Sequence, residues 1–326
     1  MRNIPSSHPS DVHRDRSTGL VIFGAAEILI GLVCASLIPL TIATASLSPF
    51  IDLRVVLPTL ALYGLIAAAF VTLGVGSIRA RRWAVALTLS LSWVWLITGV
   101  GTMVLSWWLL PGFWSSLGAA SGLDAGTAQA VTIIITLFMG VIYVVIPGAF
   151  VLFYRSPHVI ATCRSRDPRP DWTDRCPQRL LALTLAYALG GLSITAMPAY
   201  GYVFPFFGRV LSGAEGAVCW LIVFILSGAL AWGTSRREPW AWWTAVATAC
   251  IGGVSSAVTF AVIDPSDLFQ IESLLAEQRA LIEGVWPTSP WIHVAAQVLI
   301  WGSLIGYLFV AKPLFNPPLG HGEIHE

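Results

Sequence analysis

Residues 155–179, RSPHVIATCRSRDPRPDWTDRCPQR, form the longest polar segment in an otherwise apolar chain, and their reading decides the fold. On either side the sequence returns to apolar runs of about 20 residues or more, the length that crosses the hydrocarbon of a bilayer. Of 326 residues, 56% are hydrophobic and only 11% charged, whereas a soluble domain carries about 25% charged residues. The sequence predicts an all-α polytopic membrane protein, because lipid offers backbone polar groups no partner outside a helix or a closed barrel.

Eight transmembrane helices are expected, at residues 20–44, 57–77, 83–110, 128–154, 180–200, 216–233, 240–263 and 291–310. The polar segment falls after the fourth. The chain therefore divides into an N-terminal tail (1–19), a first four-helix unit (20–154), a linker (155–179), a second four-helix unit (180–311) and a C-terminal tail (312–326). The tail before residue 20 is polar. The first apolar run is too long for a signal peptide and lacks a small-residue cleavage site, so it reads as a retained span.

The two units resemble each other. Gly76-Ser-Ile-Arg79-Ala-Arg-Arg-Trp83-Ala84 matches Gly233-Thr-Ser-Arg236-Arg-Glu-Pro-Trp240-Ala241 at an offset of 157. Pro49 to Leu57 matches Pro205 to Leu211 with small gaps, and Thr98 and Thr102 correspond to Ser255 and Thr259. Four spans per unit return the chain to its starting side. The expectation is two parallel four-helix repeats, with any twofold axis along the membrane normal.

Orientation follows from the basic residues, 17 Arg and one Lys. Fifteen lie on one side: Arg2, Arg14 and Arg16; Arg79, Arg81 and Arg82; six in the linker; Arg236 and Arg237; and Lys312. Three, Arg54, Arg209 and Arg279, lie on the other. Positive charge stays inside, which places both termini and the linker in the cytoplasm of a bacterial inner membrane. The loop at 264–290 carries a helix signal, with Asp264 as cap, Pro265 in the first turn and Leu268, Ile271, Leu275 and Ile282 on one face. It reads as an amphipathic helix lying on the outer membrane surface.

Groups able to do chemistry are few. Glu27 is the acidic residue well inside an apolar run. A carboxyl there either binds a proton or cation, or is satisfied by a neighbouring Ser or Thr or by the headgroups. Thr98 with Thr102, and Ser255 with Thr259, each line one helix face; they are small polar packing residues or the walls of a polar path. His293 and Gln297 share a face of the last span. In the linker, His158, Cys163 and Cys176 are candidate soft metal ligands, although the paired-cysteine spacing of zinc sites is missing. Asp167, Asp171 and Asp174 read as a turn segment neutralised by the arginines among them. No zincin, nucleophile-elbow, P-loop or dinucleotide motif occurs, and no cofactor is expected. A net charge of +1 gives no reason to expect nucleic acid.

The leading functional expectation is a non-catalytic membrane module. Its partners would be the lipid bilayer, and a protein docking at the linker or the outer amphipathic helix. The alternative is a small-solute or ion transporter with a site between the repeats near Glu27 and the Ser/Thr faces. An intramembrane enzyme ranks third.

Overall fold

The computed structural model describes residues 15–47, 53–121, 125–263 and 290–315. Among them, eight helices are long and apolar enough to span a membrane, as the apolar runs require. In chain order they are α1 (Ser17–Leu47), α2 (Leu53–Ile78), α3 (Arg82–Ser121), α4 (Ala125–Gly140) continued by α5 (Ile146–Tyr154), α7 (Gln178–Ser193), α8 (Gly213–Ser235), α9 (Pro239–Val262) and α10 (Pro290–Ala311). A short helix, α6 (Pro157–Arg166), lies in the linker. The expected amphipathic helix of the 264–290 loop, and most of both tails, fall outside the described residues.

α1 and α2 pack through small residues. A β-carbon on Gly24 would come within 2.7 Å of the Gly74 carbonyl oxygen, and one on Gly31 within 2.9 Å of that of Ala67. The seven-residue spacing on each helix lets two antiparallel backbones touch at two successive levels. Between α4 and α5, residues Val141–Val145 form one π turn, in which the Ile146 N–H donates to the Val141 carbonyl. Pro147 follows directly; lacking an N–H, it leaves the Tyr143 carbonyl without its helical donor, and the wider turn absorbs the defect.

Two apolar cores result. One gathers Leu20, Val85, Leu89, Phe150, Tyr154, Val159 and Cys163; the other gathers Cys176, Leu180, Leu181, Leu230, Trp242, Ala245 and Leu308. The linker supplies one buried cysteine to each core.

Several local expectations change. The loop expected from Pro111 onward is helical to Ser121; a proline near a span's end removes one backbone hydrogen bond without stopping a membrane helix. The fifth span ends not as α-helix but as a 3-10 stretch, Ile194–Tyr200, around Pro198. A β-hairpin follows it, pairing β1 (Phe204–Phe206) with β2 (Arg209–Leu211). The sequence match between Pro49–Leu57 and Pro205–Leu211 therefore does not extend to the backbone, since residues 53–57 are helical.

The match around the short turns does extend to it. Ala80 and Arg237, 157 positions apart, both take left-handed backbone angles, φ 53° and 60°. The Arg81 N–H donates to the Gly76 carbonyl at 2.9 Å, and the Glu238 N–H to that of Gly233 at 2.9 Å. The α2–α3 and α8–α9 turns thus share one hydrogen-bonding scheme.

Candidate functional site

Glu27 sits on the packing stripe of α1. Leu20, Gly24, Glu27 and Gly31 recur at intervals of four, three and four, and all are buried. This helical period points Glu27 inward rather than at lipid. Three other helices meet it there. The Tyr154 hydroxyl, at the end of α5, donates to Oε1 at 2.7 Å. The Ser77 hydroxyl, at the end of α2, donates to Oε2 at 3.1 Å. The buried Thr88 hydroxyl of α3 lies against the same carboxyl without completing a hydrogen bond. Phe23 stacks on Phe153 at 4.0 Å and meets Tyr154 edge-on at 6.0 Å, which fixes the phenol that reaches Glu27. Glu27 has no exposed surface, and both of its oxygens accept a bond. α1, α2, α3 and α5 therefore meet at one carboxyl.

The remaining polar residues of the spans are not gathered around it. Thr98 is exposed on α3 and returns its hydroxyl to the Val94 carbonyl at 2.8 Å; Thr102 does the same to Thr98 at 2.9 Å. Ser255 and Thr259 are buried and hold the hairpin turn. The Ser255 hydroxyl accepts the Phe207 N–H and donates to the Pro205 carbonyl, both at 3.1 Å. The Thr259 hydroxyl accepts the Gly208 N–H at 3.0 Å. Phe207 and Gly208 have φ of 42° and 84°, the geometry of a tight two-residue hairpin. Such angles are unusual for phenylalanine, and the two hydroxyls of α9 hold them. His293 stacks on Phe260 with centroids 6.1 Å apart, and Gln297 accepts the Trp301 indole N–H at 3.1 Å.

The linker is an ordered cap rather than a free loop. α6 buries Val159, Thr162 and Cys163 on one face. The Thr162 hydroxyl accepts the Arg16 N–H at 3.2 Å, and Arg166 pairs with Asp15 at 3.3 Å, tying the linker to the start of α1. The Asp15 carboxyl, bonded first by the Ser17 N–H and then by its hydroxyl, is held below the usual carboxylate range. Asp167 and Asp174 pair with Arg81 at 3.4 Å and Arg82 at 2.9 Å. Their neutralising charges come from the α2–α3 turn and not from the linker arginines beside them. Gln178 donates to the Ser90 hydroxyl at 2.6 Å, and Arg237 reaches the Arg175 carbonyl. The linker is thereby fastened to both four-span units.

Beneath the cap is a cavity of about 190 Å3, bordered by Tyr154, Cys163, Cys176, Arg82, Asp174 and Gln178 among others. Both cysteines border it, and burial pushes the Cys163 thiol up to about 11 and raises that of Cys176. Protonated thiols are poor ligands for a metal. His158 is exposed on α6, and among the described residues no three His, Cys, Asp or Glu side chains come together as a metal-binding group. The set His158, Cys163 and Cys176 is not assembled.

Tyr154 belongs to both places: its hydroxyl reaches Glu27 and its side chain borders the cavity. Sequence reasoning passed over it. The available signal was a tyrosine closing an apolar span on the side nearest Glu27. Comparison with known proteins finds no family model that matches the chain, no matching curated protein and no matching solved structure.

Proposed function

We propose that the protein is a non-catalytic module of the bacterial inner membrane, with both termini and the linker in the cytoplasm, acting through lipid or protein partners at its linker face. One observation supports this reading above the others. The five polar residues that the sequence put forward for a transport path are all engaged in structural hydrogen bonds: Glu27 to Tyr154 and Ser77, Thr98 and Thr102 to their own helix, Ser255 and Thr259 to the hairpin. What stands out at the linker face is a cap fastened to both units.

The architecture proposed with it is a tandem duplication, two parallel four-helix repeats. Its support is the shared turn geometry at the 157 offset. The equivalents of Glu27 and Ser77 are Thr184 and Thr234, whose hydroxyls are both buried and find no hydrogen-bond partner among the described residues. On this reading the second repeat keeps the polar positions and lacks the carboxyl.

A second reading, a proton-coupled transporter, is favoured by one contact. Tyr154 connects Glu27 to the cavity under the linker, which gives the buried carboxyl a neighbour on the aqueous side. Proton flux into sealed vesicles containing the purified protein separates the two readings. We expect the rate of protein-free vesicles, unchanged by Glu27→Gln. A faster rate that Glu27→Gln abolishes would replace the module with the transporter. Glu27→Ala should lower stability by about 2–4 kcal/mol, since it leaves a cavity and two buried hydroxyls without an acceptor.

A further inference from the structure

A groove of about 320 Å3 lies where α2 ends and α3 begins. Its floor includes Val71, Val75 and Gly76, and its rim carries Arg79, Arg81 and Trp83. The floor belongs to the last two turns of a span that ends at Ile78, so it stands in hydrocarbon while the rim stands at the level of the headgroups. Arg79 is exposed and forms no ion pair among the described residues. Arg81 is 51% exposed and touches Asp167 only at 3.4 Å. Two guanidinium groups and an indole therefore surround the open end of an apolar slot.

The same turn in the second unit is lined by different side chains. At the 157 offset, Val75 is replaced by Trp232, and Arg81 by Glu238, while Arg79 and Trp83 keep their types as Arg236 and Trp240. The Arg236 guanidinium lies 4.7 Å above the Trp232 ring, and the two indoles are 6.3 Å apart. There an indole stands at the position of Val75, the first cation rests on it, and an anion stands at the position of the second. Turns of matching backbone thus differ in the features that would admit a negatively charged amphiphile.

We infer that the groove between Arg79, Arg81 and Trp83 binds an anionic phospholipid. The phosphate sits between the guanidinium groups, whose planar forks suit phosphate oxygens. One acyl chain runs along Val71 and Val75. A soluble phosphate would leave the slot empty. A zwitterionic lipid would bring its own cation against two arginines. Binding draws Arg81 from Asp167 and leaves Arg82 on Asp174, so an occupied site loosens one of two ion pairs that hold the linker to this turn.

The test is lipid retention by the purified full-length protein in native mass spectrometry, titrated with phosphatidylglycerol, phosphatidylcholine or glycerol 3-phosphate. Phosphatidylglycerol should be retained over phosphatidylcholine. Arg79→Gln, a change at an exposed position, should weaken it about five-fold, the effect of one basic residue near an anionic surface. Val75→Trp, which copies the second unit, should remove the retained lipid although both arginines remain. Glycerol 3-phosphate should not displace it. Equal retention of the two lipids overturns the inference, and so does unchanged retention in Arg79→Gln, which stands even if Val75→Trp fails to fold. Displacement by glycerol 3-phosphate would reduce the site to a simple anion site and equally overturn it.

Discussion

A carboxyl in hydrocarbon must find partners within the protein, and Glu27 finds them 50 and 127 positions away, at Ser77 and Tyr154. The cysteines of the linker meet the opposite solution: they are buried neutral. Cys163 has almost no exposed surface. Burial is the main cause of its raised thiol pKa, Arg166 opposes it and Asp167 adds to it. The folded value of about 11 exceeds the unfolded value of 9.0, so the folded chain holds this proton more tightly. That stability is fully present below pH 9 and is lost as pH rises from 9 to 11. Cys163→Ala should flatten the loss by roughly 2–3 kcal/mol, read as the difference between wild type and variant in thermal unfolding at pH 8.5 and pH 11. Groups titrating in both proteins cancel in that difference. Equal alkaline losses would mean that the thiol already ionises normally in the fold.

At the scale of elements, the spans were legible in sequence because an apolar run long enough for the bilayer has one backbone solution. The π turn at Val141–Val145 and the hairpin after Pro198 were not legible. Each depends on where a neighbouring segment places a hydrogen-bonding group, and composition does not show that. Ser255 and Thr259 make the point: the face they share was visible, but its partner, a turn some 50 residues earlier, was not. The same limit applied to Glu27. Its satisfaction by a neighbouring hydroxyl was foreseeable, while its tyrosine partner was hidden by distance along the chain. The hairpin yields a direct test. Ser255→Ala removes the acceptor of the Phe207 N–H and the donor to Pro205, and Thr259→Val the acceptor of the Gly208 N–H. Each should destabilise by about 1–3 kcal/mol, and the left-handed Phe207 should then relax. The exposed Arg209 should become a trypsin site in the double variant, with cleavage faster than in wild type. Unchanged digestion and melting would show that the hairpin holds without α9.

For the whole molecule, the decisive element is the linker, because it contributes to both apolar cores and pairs its acids with the α2–α3 turn. A cap fastened in this way cannot change sides without breaking both cores, so the side it occupies sets the orientation of all eight spans. Fifteen basic residues against three are the ground, under the positive-inside rule, for proposing that this side is the cytoplasmic one. The native linker thiols are poor reporters of it, since Cys163 and Cys176 are 2% and 8% exposed. Ser165, exposed near the end of α6, is the better position. In a protein whose native cysteines are replaced by alanine, Ser165→Cys should react with a membrane-impermeant maleimide in inverted inner-membrane vesicles. It should stay unlabelled in spheroplasts, whose outer face alone is open to the reagent. A cysteine at Arg209 should give the reverse pattern, because the hairpin lies across the membrane from the linker. Labelling of Ser165→Cys from the outer face would invert the topology and move the groove at Arg79 and Arg81 to the opposite leaflet.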